Sequence, residues 1–302
     1  MKMKRSLSLL LLLLLPFAFS CKRGGKEKES YVPVFSTYNS DSLKKKVPTV
    51  KNEIYYGILT PVEISTIFNR LGIPYNNDIL NPITNKDLYL SSSKASINTG
   101  IYGVDFGYLK IFGLGQQMID YMVTIREMSN KLGIPDSYLN DPIKKVQNDT
   151  SEPDTIFFLM NDAYTKMETH LREGGRESTA GLMVMGGWIE AMYIATQLVY
   201  NPEKPDAEVI QKISQQKYTL TTLLSFLKNY YDDPVVVYYS KKLKYLKNYF
   251  DSFDIYFKKG DLEIDTAKQV FRSTGSKMTV SIETLNKIKD YTAKLRTEMV
   301  KP

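Results

Sequence analysis

The hydrophobic pattern after about residue 47 follows a helical period. Apolar residues recur every three or four positions, whereas alternating runs bounded by hairpin turns are rare. The pattern predicts an all-α fold, either a multi-helix bundle or a solenoid-like array of helical hairpins. Helices are expected to start where an N-cap residue precedes proline in the first turn, at Thr60-Pro61, Ser151-Glu152-Pro153 and Asp233-Pro234.

Two of the predicted helices have a clear core face. After Asp233-Pro234 the apolar positions step by four and three residues in turn, which is typical of a bundle helix. A looser version of this spacing ends the chain. The predicted core positions are Tyr239, Leu243, Leu246, Phe250, Phe253 and Phe257 in the first helix and Leu285, Ile288, Leu295 and Met299 in the last.

Two predicted helix ends share a sequence. The run NRLGIP at residues 69–74 is echoed by NKLGIP at residues 130–135, and Asn201-Pro202 forms a third stop. Glycine can adopt the left-handed conformation that ends a helix, and the following proline prevents continuation. The spacing of 61 residues between the two runs is compatible with repeated helical hairpins. Common capping signals also explain the similarity, because a repeat requires similarity along the whole unit.

Two glycine-containing segments are expected to form central helices. In residues 97–114, Gly100, Gly103 and Gly107 would make one face that a neighbouring backbone can approach closely. Residues 179–200 are long enough to span a membrane, but a charge at the bilayer centre is unfavourable, and Glu190 lies in mid-segment. We therefore expect a buried helix there, packed through a stripe of small residues at Gly187, Ala191 and Ala195.

The N-terminus reads as a bacterial lipoprotein signal. Three basic residues precede a leucine run at residues 7–15, and Ala18-Phe19-Ser20 precede Cys21. The apolar stretch is too short to cross a bilayer. We predict a signal peptide at residues 1–20, a flexible tether at residues 21–51 that begins at lipidated Cys21, and one helical domain at residues 52–302.

Composition excludes several classes of protein. Cys21 is the only cysteine, so no disulfide can form within the chain after lipidation. The net charge of +7 becomes +4 after removal of Lys2, Lys4 and Arg5, because 37 Lys and Arg then face 33 Asp and Glu. Such a small excess does not indicate a nucleic-acid partner, which an exported protein would not normally meet.

Asp105 and Glu190 are the candidate functional residues. Each lies in an apolar predicted helix, and a buried carboxylate must be paired, hydrogen-bonded or protonated. The simpler interpretation is that a Tyr hydroxyl, an arginine such as Arg176 or a helix N-terminus holds each one. The functional interpretation is a shared cleft for a cationic or amide-bearing ligand, walled by Tyr102, Tyr108, Trp188 and Tyr193.

Other chemistry has little support in the sequence. His170 is the only histidine, so neither a multi-histidine metal site nor a Ser-His-Asp arrangement is expected. The glycine segment lacks the Lys and Ser or Thr of a phosphate-binding loop. We expect no cofactor, no metal and no catalytic residue. The abundant tyrosines beside lysines are compatible with two roles. Their rings could lie at the edge of the core with the hydroxyls in solvent, or they could recognise a glycan or an extended partner.

Two motifs resemble a known family. Tyr102-Gly103-Val104-Asp105-Phe106-Gly107-Tyr108 and Gly186-Gly187-Trp188-Ile189-Glu190-Ala191, together with the lipoprotein signal, are similar to uncharacterised helical lipoproteins of Bacteroidetes. The resemblance implies an all-α fold and an envelope location, but no activity. The residue after the anchor is Lys22, whereas a surface-export signal would place acidic residues there. This difference favours the periplasmic face of the outer membrane over surface display.

The function expected from these features is not enzymatic. The first hypothesis is a lipid-anchored adaptor or accessory subunit of an envelope assembly, which would have a protein partner as well as the membrane. The alternative is a lipoprotein that binds a small molecule or peptide through Asp105, Trp188 and Glu190. A carboxylate-dependent hydrolase is the only enzyme class that the sequence leaves open.

Overall fold

The computed structural model describes residues 61–147, 153–252, 262–265, 270–273 and 279–301. The predicted signal peptide, Cys21 and the tether lie outside the described residues. Within the described ranges the fold is an all-α multi-helix bundle, as predicted. Its helices are α1 (Pro61–Leu71), α2 (Ser92–Ile111), α3 (Gly115–Lys131), α4 (Ser137–Gln147), α5 (Pro153–Glu173), α6 (Glu177–Ile194), α7 (Ala207–Leu227), α8 (Pro234–Asp251) and α9 (Ile282–Val300).

Shorter elements connect these helices. Two 3-10 turns, Asn77–Ile79 and Ile83–Leu88, lie between α1 and α2, and a third, Lys228–Tyr230, follows α7. A π-helical turn, Ala195–Val199, continues α6. These turns connect helices that pack against one another: α1 with α2, α6 with α7, and α7 with α8.

A small antiparallel sheet precedes α9, which the sequence pattern did not predict. Its strands β1 (Leu262–Asp265), β2 (Val270–Ser273) and β3 (Thr279–Ser281) lie in the order β1-β2-β3. Leu262 pairs with Ser273, and Val270 pairs with Ser281. Strands of three or four residues are too short to display a reliable alternating pattern.

The predicted helix starts and stops are confirmed. Helices α1, α5 and α8 begin at their prolines, and the Asp233 side chain accepts a 2.8 Å hydrogen bond from the amide of Val235. Gly72 and Gly133 both have a φ of +63°. A 3-10 turn follows the first of these stops and helix α4 follows the second, so the similarity of the two runs does not extend past the cap.

The core faces of the last two helices are confirmed where the structure describes them. Tyr239, Leu243, Leu246 and Phe250 are buried on α8, as are Leu285, Ile288, Leu295 and Met299 on α9. Helix α8 ends at Asp251, six residues before Phe257, the last core position that the sequence predicted for it. Phe253 and Phe257 lie outside the described residues.

Helices α2 and α6 form the centre of the molecule and separate two apolar cores. Ile97 and Trp188 face the core built with α7, α8 and α9, whereas Phe106 and Met183 face the core built with α3 and α5. Both faces of each helix are therefore covered, as the sequence predicted for a central helix.

Backbone contact between α2 and α6 depends on glycine. A Cβ at Gly100 would overlap the carbonyl oxygen of Met183, and one at Gly186 would overlap the carbonyl oxygen of Ile97. Gly107 has no such neighbour, so the predicted glycine face extends only to Gly103, which packs against Tyr164. On α6 the closest approach is at Gly186, and Gly187 of the predicted stripe contacts Gly100 in the same place. Ala191 and Ala195 stay a prediction.

The apolar segment α6 is a core helix. Among the described residues, Glu177–Val199 is the one helical stretch with the length and hydropathy of a membrane span, and 72% of its most apolar window is buried within the protein. Burial on both faces is the property that the sequence indicated for this segment.

Candidate functional site: a buried carboxyl pair and its arginine

Asp105 and Glu190 do meet, as the hypothesis of a shared site required, but they meet in the interior of the protein. Asp105 comes from α2 and Glu190 from α6, and both are fully buried. Their carboxyl groups are close enough for each to affect the pKa of the other. Arg296 from α9 completes the cluster and is 7% exposed. We call Asp105, Glu190 and Arg296 the acid–arginine cluster.

Arg296 and Glu190 form a two-point ion pair. The Arg296 Nε donates to Glu190 Oε2 at 2.9 Å, and its Nη2 donates to Glu190 Oε1 at 3.0 Å. Nη2 also donates to the carbonyl oxygen of Ile79 at 3.1 Å. The guanidinium carbon lies 4.7 Å from the centre of the Tyr193 ring, at cation–π distance. This geometry stabilises the charged carboxylate form of Glu190, because both of its oxygens accept hydrogen bonds from the guanidinium group.

Asp105 is less completely satisfied. Its Oδ2 accepts a 3.0 Å hydrogen bond from the backbone amide of Asn81, but its buried Oδ1 has no hydrogen-bond donor. Burial raises the pKa of Asp105 well above its usual value, and the neighbouring Glu190 carboxylate raises it further. Arg296 and the Asn81 amide oppose this increase in pKa without cancelling it.

The charge balance of the cluster favours the protonated form of Asp105. Burial also raises the pKa of Glu190, but the ion pair with Arg296 opposes that increase. One buried cation can neutralise one carboxylate, so the second carboxyl group is best accommodated as the neutral acid. As the neutral acid, Asp105 becomes a hydrogen-bond donor and could donate to the neighbouring carboxylate of Glu190. Two carboxylates could not form this hydrogen bond.

Asn81 links the acid–arginine cluster to the rest of the interior. Its Nδ2 donates to Tyr89 Oη and to Asn98 Oδ1, both at 3.1 Å, and its carbonyl oxygen accepts a 2.9 Å hydrogen bond from Tyr121 Oη. Tyr89 Oη also donates to the carbonyl oxygen of Val300 at 2.8 Å. The segment between α1 and α2 is therefore held against the last turn of α9.

The other predicted site residues do not form a shared pocket with the carboxyl pair. Tyr102 Oη donates to the carbonyl oxygen of Pro82 at 2.9 Å, and Tyr108 Oη accepts from the amide of Asn76 at 2.9 Å. Trp188 faces the other core, where its Nε1 donates to Thr219 Oγ1 at 3.0 Å. Tyr193 alone contacts the cluster, through Arg296.

The arginine that binds Glu190 is not the one that the sequence suggested. Arg176 donates to the carbonyl oxygen of Leu132 instead. Arg296 carried a signal that could have been used, because it lies four residues after buried Thr292 and three before buried Met299. A charged residue on the core face of a helix requires a buried counter-charge. Asn81 lies in a turn and carried no comparable signal.

These contacts limit what the acid–arginine cluster can do chemically. Both oxygens of Glu190 and one oxygen of Asp105 are occupied by groups of the protein itself. In the part of the chain that the structure describes, no group of three His, Cys, Asp or Glu side chains is arranged to hold a metal ion. The arrangement is one that fixes three helices to each other.

A second candidate site lies on the surface, where tyrosines and lysines of α8 and its surroundings are exposed. Tyr231, Tyr238 and Tyr245 are 36%, 49% and 51% exposed. Lys242 Nζ lies 4.8 Å from the centre of the Tyr238 ring, and Lys244 Nζ lies 5.2 Å from that of Tyr231. We define the tyrosine surface as Tyr231, Tyr238, Tyr245, Tyr249 and Tyr291 with Lys241, Lys242 and Lys244.

Comparisons with known protein families, with characterised proteins and with solved structures found no match to this chain.

Proposed function

We propose that this chain is a non-enzymatic, lipid-anchored adaptor or accessory subunit of an envelope assembly. The observation that carries the proposal is the internal use of Asp105 and Glu190, the chain's best candidates for chemistry. Arg296 and Asn81 occupy these carboxyl groups, so they serve the packing of α2, α6 and α9 and not a substrate. The alternative, a carboxylate pocket for a small molecule or peptide, gains no support from these contacts.

The location is part of the same proposal. The signal-like residues before Cys21 support export and lipidation, and Lys22 supports the periplasmic face of the outer membrane. The proposed membership of the helical lipoproteins of Bacteroidetes rests on the lipoprotein signal and the two motifs quoted above. A Cys21→Ala variant tests the anchor, because it should leave the membrane fraction and take up no labelled fatty acid. Unchanged membrane retention and labelling would contradict lipidation at Cys21.

Crosslinking in the native cells tests the adaptor role. The lipidated protein is crosslinked, purified and analysed by mass spectrometry, beside a control in which residues 1–51 carry an unrelated soluble domain. We expect one envelope protein at comparable abundance with the full chain and not with the control. Recovery of the full chain alone would contradict the adaptor role, and recovery of the same partner with the control would assign the interaction to the tether.

An Asp105→Asn variant separates the adaptor from a carboxylate-dependent enzyme. This change removes the acid while keeping a group that can donate to Glu190 and accept from the Asn81 amide. We expect the variant to fold and to recover the same crosslinked partner. A folded variant that recovers the partner but loses the cellular role would favour an enzyme.

A further inference from the structure

We propose that the tyrosine surface binds an acidic polysaccharide, with sugar rings stacked on the tyrosines and acidic groups paired with Lys241 and Lys244. This inference goes beyond the adaptor role, because it assigns a second ligand of different chemistry. It rests on the geometry of α8 and α9 and not on the identity of a protein partner.

The rings of the tyrosine surface are held in place before any ligand binds. The Tyr245 ring centre lies 5.4 Å from that of Tyr249 and 4.9 Å from that of Tyr291 on α9. Tyr238 packs edge-on against buried Tyr239 at 5.1 Å. A ring that is already fixed loses little conformational entropy on binding, so these rings are suited to a weakly attractive, flat ligand.

The spacing of the exposed rings suits an extended ligand. Tyr238 and Tyr245 are seven residues apart on one helix, so they lie on the same face and about 10 Å apart along its axis. Lys241 is exposed between them. A linear chain that lies along α8 would therefore meet a ring, a cation and a second ring in succession.

The charge of the tyrosine surface is complementary to an anion. Lys242 is paired with Glu298 at 2.8 Å, and Lys247 is paired with Asp251. Among the residues that the structure describes, neither Lys241 nor Lys244 lies within ion-pair distance of a carboxylate. Both lysines are exposed. Two cations beside fixed aromatic rings thus remain available for acidic groups.

Other partners fit this surface less well. Protein interfaces are depleted of lysine and place charge at the rim, whereas Lys241 lies between two of the rings. A helix that inserts into a lipid surface needs large apolar residues, and none of the exposed residues in Pro234–Asp251 is Leu, Ile, Phe or Trp. Single-stranded nucleic acid also uses rings and cations, but the export signal predicted from the sequence argues against it.

Sugars fit both features of the surface. The C–H face of a pyranose ring is apolar and packs on an aromatic face, while its hydroxyls can exchange hydrogen bonds with the tyrosine hydroxyls. The acidic groups of a uronic acid polymer would lie beside the lysines. Such binding should weaken at high ionic strength without disappearing, because stacking is not screened by salt.

Calorimetry with polygalacturonate tests the proposal on the mature protein, made soluble by Cys21→Ser. We expect binding that weakens about tenfold in Y238A and in Y245A, because the loss of one stacking contact typically weakens binding by about fivefold or more. K241E combined with K244E should weaken binding by a similar factor and reduce its salt dependence. Y218A and K204E are matched controls outside the tyrosine surface, and both should change affinity less than twofold.

Comparison ligands distinguish the alternatives. If polyglutamate binds as tightly as polygalacturonate and Y238A has no effect on binding, charge attraction alone explains the affinity. That result would overturn the proposal. Preference for oligothymidylate or for phosphatidylglycerol vesicles would also overturn it, as would no binding of polygalacturonate. None of these results affects the crosslinking test of the adaptor role, so the two proposals can fail separately.

Discussion

Asp105 is unusual at the scale of single residues, because it is buried beside a second carboxyl group, Glu190, and the cluster's one arginine is paired with Glu190. Its Oδ2 has the Asn81 amide and its Oδ1 has no donor. The neutral acid resolves both difficulties, since it removes the excess charge and supplies a proton for Glu190. The folded protein should therefore take up a proton that the unfolded chain, at neutral pH, does not hold.

Asp105→Asn should stabilise the protein at neutral pH. The pKa of Asp105 is raised in the folded state, so its neutral form favours folding fully below the unfolded pKa, near 4. This contribution is lost as the pH rises through the raised folded pKa. Asparagine is neutral throughout, so the advantage of the variant should grow with pH. Urea unfolding of both proteins between about pH 5 and pH 9 measures it.

Asp87→Asn is the matched control for this pH dependence. Asp87 is exposed, and its ion-pair partner, Lys86, is not part of the acid–arginine cluster. Its stability relative to the natural chain should hardly change over the same pH range. An advantage of Asp105→Asn that stayed constant with pH would mean that Asp105 is ionised in the folded protein.

Glu190 and Arg296 should be strongly coupled in a double-mutant cycle. Removal of one partner from a buried ion pair typically costs about 3–5 kcal/mol, because the other charge stays buried alone. Arg296→Met should therefore cost more than Glu190→Gln, since Asp105 can lose its proton and replace Glu190 as the counter-ion. The double variant should lose less than the sum of the two single losses. Additive losses in urea unfolding would contradict the coupling.

The sequence predicted the buried carboxyl groups of this site but not their partners. The polarity of Asp105 and Glu190 within apolar helices predicted that both were buried and needed partners. The partner itself could not be assigned, because Arg296 is 106 residues from Glu190 and competes with other arginines as a candidate. Trp188 looked like a wall of the same site because it is close to Glu190 in sequence, but its position on the helix directs it into the other core.

At the scale of elements, the contact between α2 and α6 determines the geometry of the cluster. Gly100 and Gly186 let the two backbones approach closely, and this approach brings Asp105 and Glu190 together. Glycine inside a helix is normally unfavourable by about 1 kcal/mol relative to alanine. Close packing of α2 and α6 offsets that cost at these two positions.

Gly100→Ala should destabilise the protein, and Gly107→Ala should not. The added methyl group at position 100 meets the backbone of Met183, which cannot move aside, so we expect a loss of about 1–3 kcal/mol or more. Position 107 has open space, so alanine should stabilise α2 there by up to about 1 kcal/mol. Urea midpoints at unchanged m-value measure both effects. Equal effects at the two positions would contradict the close packing.

Elements differed in how well the sequence predicted them. Helix ends with local signals, such as Asp233-Pro234 and Gly72, were predicted correctly because capping depends on neighbouring residues. The end of α8 was placed too late, since apolar spacing continues to Phe257 although the helix stops at Asp251. The sheet was missed because its short strands depend on pairing with each other and not on a local pattern.

At the scale of the whole molecule, α9 closes the fold. Its last turn accepts hydrogen bonds from Tyr89, from Asn98 and from Lys94, all of which precede it by about 200 residues in the chain. Arg296 from the same helix holds Glu190 and the carbonyl oxygen of Ile79. The segment between α1 and α2 and the centre of α6 therefore depend on one helix for their partners.

A chain that ends at Leu295 should lose cooperative unfolding. It lacks Arg296 and the carbonyl groups of Met299 and Val300, so Glu190 and the segment between α1 and α2 both lose their partners. A chain that lacks only Lys301 and Pro302 keeps these contacts and should unfold in one transition. Circular dichroism during heating compares the two. Identical transitions would contradict the role of α9.

The distance between Glu190 and Arg296 along the chain also sets an order of events during synthesis. The two acids are made before Arg296, and at about 5–20 residues per second the ribosome needs roughly 5–20 seconds to reach it after Glu190. During that interval Glu190 has no arginine with which its charge can be buried. Closure of α2 on α6 around the acid–arginine cluster therefore has to wait until α9 has been made.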